Sequence, residues 1–198
     1  MLLGNYIKDI KENYKNFFFS GISFDSSQIK KNYIFFAIKG NKIDGNDFIS
    51  SAIYNGAKII ITSNKIEGIK NNILYIKVKN VRKLLAEISF KIYNKVPKNI
   101  IAVTGTNGKS SIADFYYQIL SLNNKKVASI GTLGVKSQKY KIKLSNTTID
   151  PIKLGRILNN LKKQNINNVI MEASSHGLDQ NRLNGLFFDT GIFTNLSQ

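Results

Sequence analysis

The sequence predicts an α/β protein in two parts. Residues 1–95 read as a small N-terminal α/β domain, and residues 96–198 as the first part of a doubly wound parallel sheet built around a phosphate loop. Three observations carry this expectation. Short β-branched runs alternate with amphipathic stretches along the chain. The stretch Asn99 to Leu120, NIIAVTGTNGKSSIADFYYQIL, has the order strand, glycine-rich loop, helix. Between the halves, Asn94-Lys-Val-Pro-Lys-Asn99 holds one of only two prolines and reads as a boundary.

The elements follow in order. Tyr33 to Ile38 (YIFFAI), Lys58 to Thr62 (KIIIT) and Ile73 to Val78 (ILYIKV) are apolar and β-branched or aromatic, so they are predicted strands. Phe48 to Tyr54 is predicted helical and ends at Asn55-Gly56. A second helix is expected from Val81 to Tyr93, with Val81, Leu84, Leu85, Ile88 and Ile92 on one face. After the boundary come a buried strand at Asn99 to Val103 and a helix whose apolar stripe is Ile112, Phe115, Tyr116, Ile119 and Leu120. A strand near Lys126 to Ile130 follows. Asp150-Pro151 supplies an N-cap and first-turn proline for another helix. Strands at Asn168 to Glu172 and near Thr190 to Thr194 complete the pattern. The chain stops just after a strand, so it is expected to be the front part of a longer protein.

Composition sets the bounds. At 198 residues and 42% hydrophobic, the chain can bury a sizeable core. It has no cysteine, which excludes disulfides and thiolate metal sites and fits a cytoplasmic location. The start lacks the pattern of a signal peptide, and no apolar run is long enough to span a bilayer. The net charge of +17 is spread along the whole chain with abundant Ile and Asn, so it reads as compositional bias rather than a nucleic-acid footprint. It would still steer anionic ligands.

The loop Gly105-Thr-Asn-Gly-Lys-Ser110 carries the first chemistry. Gly105, Asn107 and Gly108 tolerate turns and positive φ. The helix behind them offers N–H groups and a positive dipole end to a phosphate. Lys109 adds a full positive charge, and the Ser110 hydroxyl suits Mg²⁺. The general phosphate-loop pattern asks for glycine where Val103 stands. A second constellation lies in Asn168 to Gly185, NVIMEASSHGLDQNRLNG. Glu172 falls at a strand end, where an acid beside a phosphate loop can hold Mg²⁺. His176, the only histidine, sits in a Ser-Ser-His-Gly turn and is either a second metal ligand or a turn-holding group. Arg182 can pair with a carboxylate or phosphate. Asn146-Thr147-Thr148, just before the Asp150 helix start, can cap that helix or bind a polar ligand.

These residues resemble the Mur ligases, ATP-dependent amide-bond ligases of peptidoglycan assembly, over nearly the whole chain. Thr104 to Ser111 (TGTNGKSS) resembles the family's phosphate loop, which also lacks the first glycine. Asn146-Thr-Thr148, Glu172-Ala-Ser-Ser-His-Gly-Leu178 with Gln180 and Arg182, and Phe193-Thr-Asn-Leu-Ser-Gln198 are similar to the branch that adds the third residue to UDP-N-acetylmuramoyl-L-Ala-D-Glu. Phe24-Asp-Ser26, Phe36-Ala-Ile-Lys-Gly40 and Asp44-Gly45 resemble that branch's UDP-binding domain.

The resemblance implies roles. Phe24, Ser26, Asn41, Lys42 and Ile43 would bind the uridine end. Gly105, Thr106, Asn107, Gly108, Lys109, Ser110 and Ser111 would bind ATP. Lys109 and Glu172 would be catalytic, with Ser110, Glu172 and His176 toward Mg²⁺. Asn146, Thr147, Thr148, Ser174, Gln180 and Arg182 would hold the muramoyl-dipeptide. The implied partners are that UDP-linked dipeptide and a diamino acid, expected to be meso-diaminopimelate with L-lysine as the alternative, and the protein is expected to be a monomer. The resemblance also implies that a carbamylated lysine and the amino-acid-selecting domain lie beyond Gln198, so these residues alone are expected to bind without turnover. Two departures stand out. Ser27 replaces the family's usual arginine, and Ile149 its frequent proline. Rival readings are a D-Ala-D-Ala-adding ligase, folylpolyglutamate synthetase, or a substrate-binding fragment without catalysis.

Overall fold

A computed structural model describes residues 1–41, 43–138, 141–144 and 146–197. The chain forms two compact units, Met1–Ile88 and Ser89–Gln198, with the division falling inside a helix.

The first unit holds β1 (Gly21–Ser23), β2 (Tyr33–Phe36), α1 (Ile49–Tyr54), β3 (Ala57–Thr62), β4 (Gly68–Lys70), β5 (Ile73–Lys77) and most of α2 (Val81–Ile92). Its sheet order is β1-β2-β3-β5-β4, parallel except for the β4 edge. In β3, four consecutive residues from Ile59 to Thr62 are buried, as expected of a parallel strand covered on both faces. Phe35, Ala37, Ala52, Ala57 and Ile60 form one core cluster, onto which Ile49 and Ile53 of α1 pack. β1 and β4 were not legible in the sequence, since three-residue strands carry too little periodicity to register.

The second unit holds β6 (Asn99–Thr104), α3 (Lys109–Leu122), β7 (Val127–Gly131), β8 (Gly134–Ser137), β9 (Lys141–Ile142), α4 (Pro151–Lys163), β10 (Asn168–Glu172), α5 (Ser175–Asp179) and β11 (Thr190–Phe193). Strand order is β11-β6-β10-β7-β8-β9. The first four are parallel, while β8 and β9 extend the sheet antiparallel, an addition to the expected parallel sheet. Asp150 caps α4, accepting a hydrogen bond from the Lys153 N–H at 2.9 Å, with Pro151 in the first turn as predicted. Ile149, in the departing position, is buried.

The predicted stripe on α3 needs correction. Ile112, Ala113 and Tyr116 face the sheet with Val103 and Ile170, whereas Phe115 is 61% and Ile119 58% exposed. The small Ala113 lets the helix approach β6, β7 and β10, and this fixes its rotation about its axis. Phe115 and Ile119, four residues apart, then share an outward face.

Candidate active site

Parallel register brings four strand ends to one edge. Glu172 of β10 lies opposite Val103 of β6, and Met171 opposite Ile130 of β7. Phe193 of β11 lies opposite Thr104. The loops that leave β6, β7, β10 and β11 therefore emerge together, at the carboxyl edge where open α/β sheets bind ligands.

The phosphate loop is shaped by its two glycines. Gly105 has φ +130°, and a Cβ there would stand 2.1 Å from Thr194 Oγ1. Gly108, with φ +84° at the N-cap of α3, would present its Cβ to open space. Conformation alone requires glycine there. Lys109 Nζ donates to the carbonyl oxygens of Gly105 at 2.5 Å and Thr106 at 3.0 Å, which holds the ammonium against the loop. Thr106, Asn107, Gly108 and Ser111 are exposed.

Glu172 is the centre of the edge. It is only 2% exposed. A buried carboxylate needs partners, and three donors serve it. Ser110 Oγ donates to Oε1 at 3.0 Å, the Thr132 N–H to Oε1 at 3.1 Å, and Thr132 Oγ1 to Oε2 at 2.9 Å. A Cβ on Gly131 would meet Oε1 at 2.1 Å, so only glycine leaves room for the carboxylate. Gly131 and Thr132 were missed from sequence. The available signal was a Gly-Thr pair directly after a predicted strand, at the edge where ligand loops cluster. A cleft of about 180 Å³ opens beside Ser110 and Glu172, lined also by Asp114, Ser129 and Lys136. Across it Lys136 Nζ meets Asp114 Oδ1 at 2.8 Å. The hydrogen bonds from Lys136 and Gln118 hold the Asp114 carboxyl below its ordinary value of 3.8.

A polar relay runs away from Glu172. Thr132 Oγ1 is 2.9 Å from Thr147 Oγ1. The buried Thr148 hydroxyl donates to the Glu172 main-chain oxygen at 3.2 Å, lies 3.1 Å from Ser174 Oγ, and accepts from the Ser174 N–H at 2.9 Å. Ser174 in turn caps α5, accepting from the Gly177 N–H. The predicted Ser-Ser-His-Gly turn is thus the start of a short helix. A Cβ on Gly177 would stand 2.6 Å from Thr148 Cβ, which explains that glycine. Arg182 donates to the Thr148 carbonyl, and its Nε and Nη2 donate to Gln180 Oε1. With its oxygen so engaged, Gln180 turns its amide Nε2 to His176 Nε2 at 2.7 Å. His176 is exposed and pairs with Gln180. Among the described residues, no three His, Cys, Asp or Glu side chains gather as a metal cluster. Asn146 is exposed beside this relay in sequence.

In the first unit, β1 and β2 are parallel neighbours, with Ser23 opposite Phe35. The loops bearing Phe24 and Ser26, and Asn41 and Ile43, thus leave by the same edge of that sheet. Phe24 and Ile43 are exposed, at 41% and 64%. Lys42 lies outside the described residues. Asp25 caps the turn at Ser26, accepting from the Ser27 N–H at 2.9 Å and the Ser27 hydroxyl at 2.7 Å. Ser27, in the departing position, therefore serves the turn itself. Asp44 caps the next turn through Asn46, and a Cβ on Gly45 would clash with the main chain of Ile38 at 2.5 Å.

Residues 103–198 match the Mur ligase middle domain, and residues 19–93 match the Mur ligase family, catalytic domain. The chain belongs to the Mur ligase family. Among relatives of this Mur ligase chain, the UDP-N-acetylmuramoyl-L-alanyl-D-glutamate--2,6-diaminopimelate ligase of Rickettsia conorii is 42% identical over 195 residues, or 96% of this chain and 40% of its own length. The ligase of the same name from Wigglesworthia glossinidia brevipalpis is 42% identical over 207 residues, or 94% of this chain and 42% of its own. The chain thus spans about two fifths of the length of these curated relatives. A solved structure of a ligase of that name superposes with a TM-score of 0.80 at 30% identity, covering 96% of this chain and 39% of that one. A MurF ligase from Thermotoga maritima, in complex with ADP, shares the fold at a TM-score of 0.58 and 22% identity, over 88% of this chain and 37% of its own. Among the described residues, no helix of this Mur ligase chain is long and apolar enough to cross a membrane.

Proposed function

We propose that the chain carries the nucleotide-binding and UDP-substrate-binding parts of a cytoplasmic ATP-dependent ligase that adds meso-diaminopimelate to UDP-N-acetylmuramoyl-L-Ala-D-Glu. The observation that carries this reading is the buried Glu172 carboxylate. It joins the phosphate-loop Ser110 on one side to the Thr132–Thr147 pair on the other, while its main-chain oxygen accepts from Thr148. A phosphate loop and a polar array fit for a carboxylated peptide thus share one strand edge. The names of the relatives, which match 94–96% of this chain, support the choice of amino acid.

The proposed reaction has two steps. A substrate carboxylate oxygen attacks the γ-phosphorus of ATP, the bond to the β-phosphate oxygen breaks, and ADP leaves. The amine of the third amino acid then attacks the acyl carbon of the acyl phosphate. The C–N bond forms, inorganic phosphate leaves, and the amine gives up a proton to solvent. The protein's contribution is positioning and charge neutralisation. Gly105 to Ser111 would cradle the phosphates, and Lys109 would leave its two loop carbonyls to meet the charge gathered between carboxylate and γ-phosphate. Arg182, steered by Gln180 and the Thr148 carbonyl, would orient the dipeptide with Ser174 and Thr148. The Ser110 hydroxyl and Glu172 carboxylate are a hard-oxygen pair 3.0 Å apart, and their chemistry fits Mg²⁺. When bound there, the ion would supply charge neutralisation to the phosphates. In the first unit, Phe24, Ser26, Asn41, Lys42 and Ile43 would receive the uridine end.

Calorimetric titration tests this reading. The chain should bind MgADP and the UDP-linked dipeptide saturably. Lys109→Ala should weaken MgADP at least tenfold and leave the dipeptide unchanged, and Arg182→Ala should do the reverse. Absence of dipeptide binding at millimolar concentration would overturn the proposal.

A further inference from the structure

We propose that Asn195 is a positioning residue for the phosphate loop, a role that rests on reading that loop as the nucleotide site. Register alone brings it there. β11 pairs with β6 through Phe193 and Thr104, so the residues after β11 run alongside Gly105 to Asn107. The Asn195 main-chain oxygen accepts the Thr106 N–H at 2.9 Å, and its side-chain Oδ1 accepts the Asn107 N–H at 3.0 Å. Thr194 Oγ1 donates to the Asn107 carbonyl at 2.6 Å. Thr106 Oγ1 accepts from the Ser197 N–H at 3.2 Å. The close fit explains Gly105, whose Cβ would also stand 2.8 Å from the Asn195 oxygen.

The consequence is a division of labour among the loop's N–H groups. Those of Thr106 and Asn107 are spoken for by Asn195 and hold the loop's path. The first N–H groups of α3 have no carbonyl of their own helix to bond, so they face outward for an anion. Without the Asn195 amide oxygen, Asn107 must find another acceptor, and the turn that presents Gly108 and Lys109 loses one of its anchors, with the Thr194 hydroxyl on the Asn107 carbonyl remaining. Only the side-chain bond depends on residue identity, because any residue supplies the main-chain oxygen.

Amide hydrogen exchange and nucleotide titration test this on the 198-residue chain. In the wild type, the Asn107 amide should be protected. Asn195→Ala should speed its exchange at least tenfold and leave Thr106 protected. Asn195→Asp keeps an acceptor oxygen in place and should restore Asn107 protection, an outcome that loss of folding would not give. Asn195→Ala should weaken MgADP at least tenfold and leave binding of the UDP-linked dipeptide unchanged. Equal exchange of Asn107 in wild type and Asn195→Ala, or wild-type MgADP affinity in Asn195→Ala, would overturn the proposal. A wild-type chain that binds no MgADP would instead remove the nucleotide reading, and the exchange comparison would then decide the Asn195 contact by itself.

Discussion

Glu172 shows how much one side chain asks of its neighbours. A carboxylate this buried is stable only with its donors in place, and Gly131 must have no side chain for them to reach it. Gly131→Ala would drive a methyl into Oε1 and displace the carboxylate from Ser110. Magnesium-dependent ADP binding, read by calorimetry, should fall at least tenfold. Gly191→Ala, whose Cβ meets nothing within 4 Å, is the control: it should leave affinity unchanged and, in a strand, should if anything raise stability by about 0.5–1 kcal/mol. Gly177 gives a sharper test, because two effects oppose. In a helix, Gly→Ala ordinarily stabilises by about 1 kcal/mol. Here the methyl would overlap Thr148, and overpacking costs about 1–3 kcal/mol. Overpacking should win, and Gly177→Ala should lower the urea midpoint. A raised midpoint would show that Thr148 yields without cost.

At the scale of elements, α3 carries both the phosphate loop and the Asp114 carboxylate that reaches Lys136 on β8. Lys136 also lies 4.4 Å from the centre of the Tyr117 ring, so the strand is tied to two positions of the helix. Because Asp114's folded pKa is depressed, the pair stabilises above the unfolded value of about 3.8, and this is lost as pH falls through the folded value. Lys136→Met should therefore lower stability at neutral pH and converge with the wild type as pH falls through the depressed folded value of Asp114, as read by urea unfolding across pH. The comparison also shows what sequence could reveal. The strand at Asn99 to Val103, the Asp150-Pro151 start and Glu172 at its strand end were legible because strand composition, capping and chain order are local signals. The face of α3 was not, because the small Ala113, rather than the larger Phe115, decides which side approaches the sheet. Thr132 and Asn195 were hidden for a different reason. Their roles depend on which strands are neighbours, and that order, β11-β6-β10-β7, is a long-range property.

For the whole molecule, each unit has its own sheet and its own buried core. A ligand stabilises the part of the chain it binds by mass action, about 2.7 kcal/mol when present at a hundred times its dissociation constant. We propose that UDP and MgADP act on different units. UDP should slow hydrogen exchange in the loops after β1 and β2, around Phe24 to Ser27 and Ile43 to Phe48. MgADP should do so in Gly105 to Ala113 and in the segments around Glu172 and Asn195. The net charge of +17 adds a dependence that both ligands share. UDP is a polyanion and MgADP keeps a net negative charge, so association of both with a basic surface is steered at low salt, more strongly for UDP, and screened once the Debye length falls to about 8 Å, near 0.15 M. Association rates measured by stopped flow should drop as salt rises through that range. Dissociation, governed by contacts inside each site, should change much less. Protection of the phosphate-loop peptides by UDP, or salt-insensitive association of both ligands, would contradict this division. The first outcome would move the uridine contacts out of the N-terminal unit, and the second would leave the excess lysine without a part in binding.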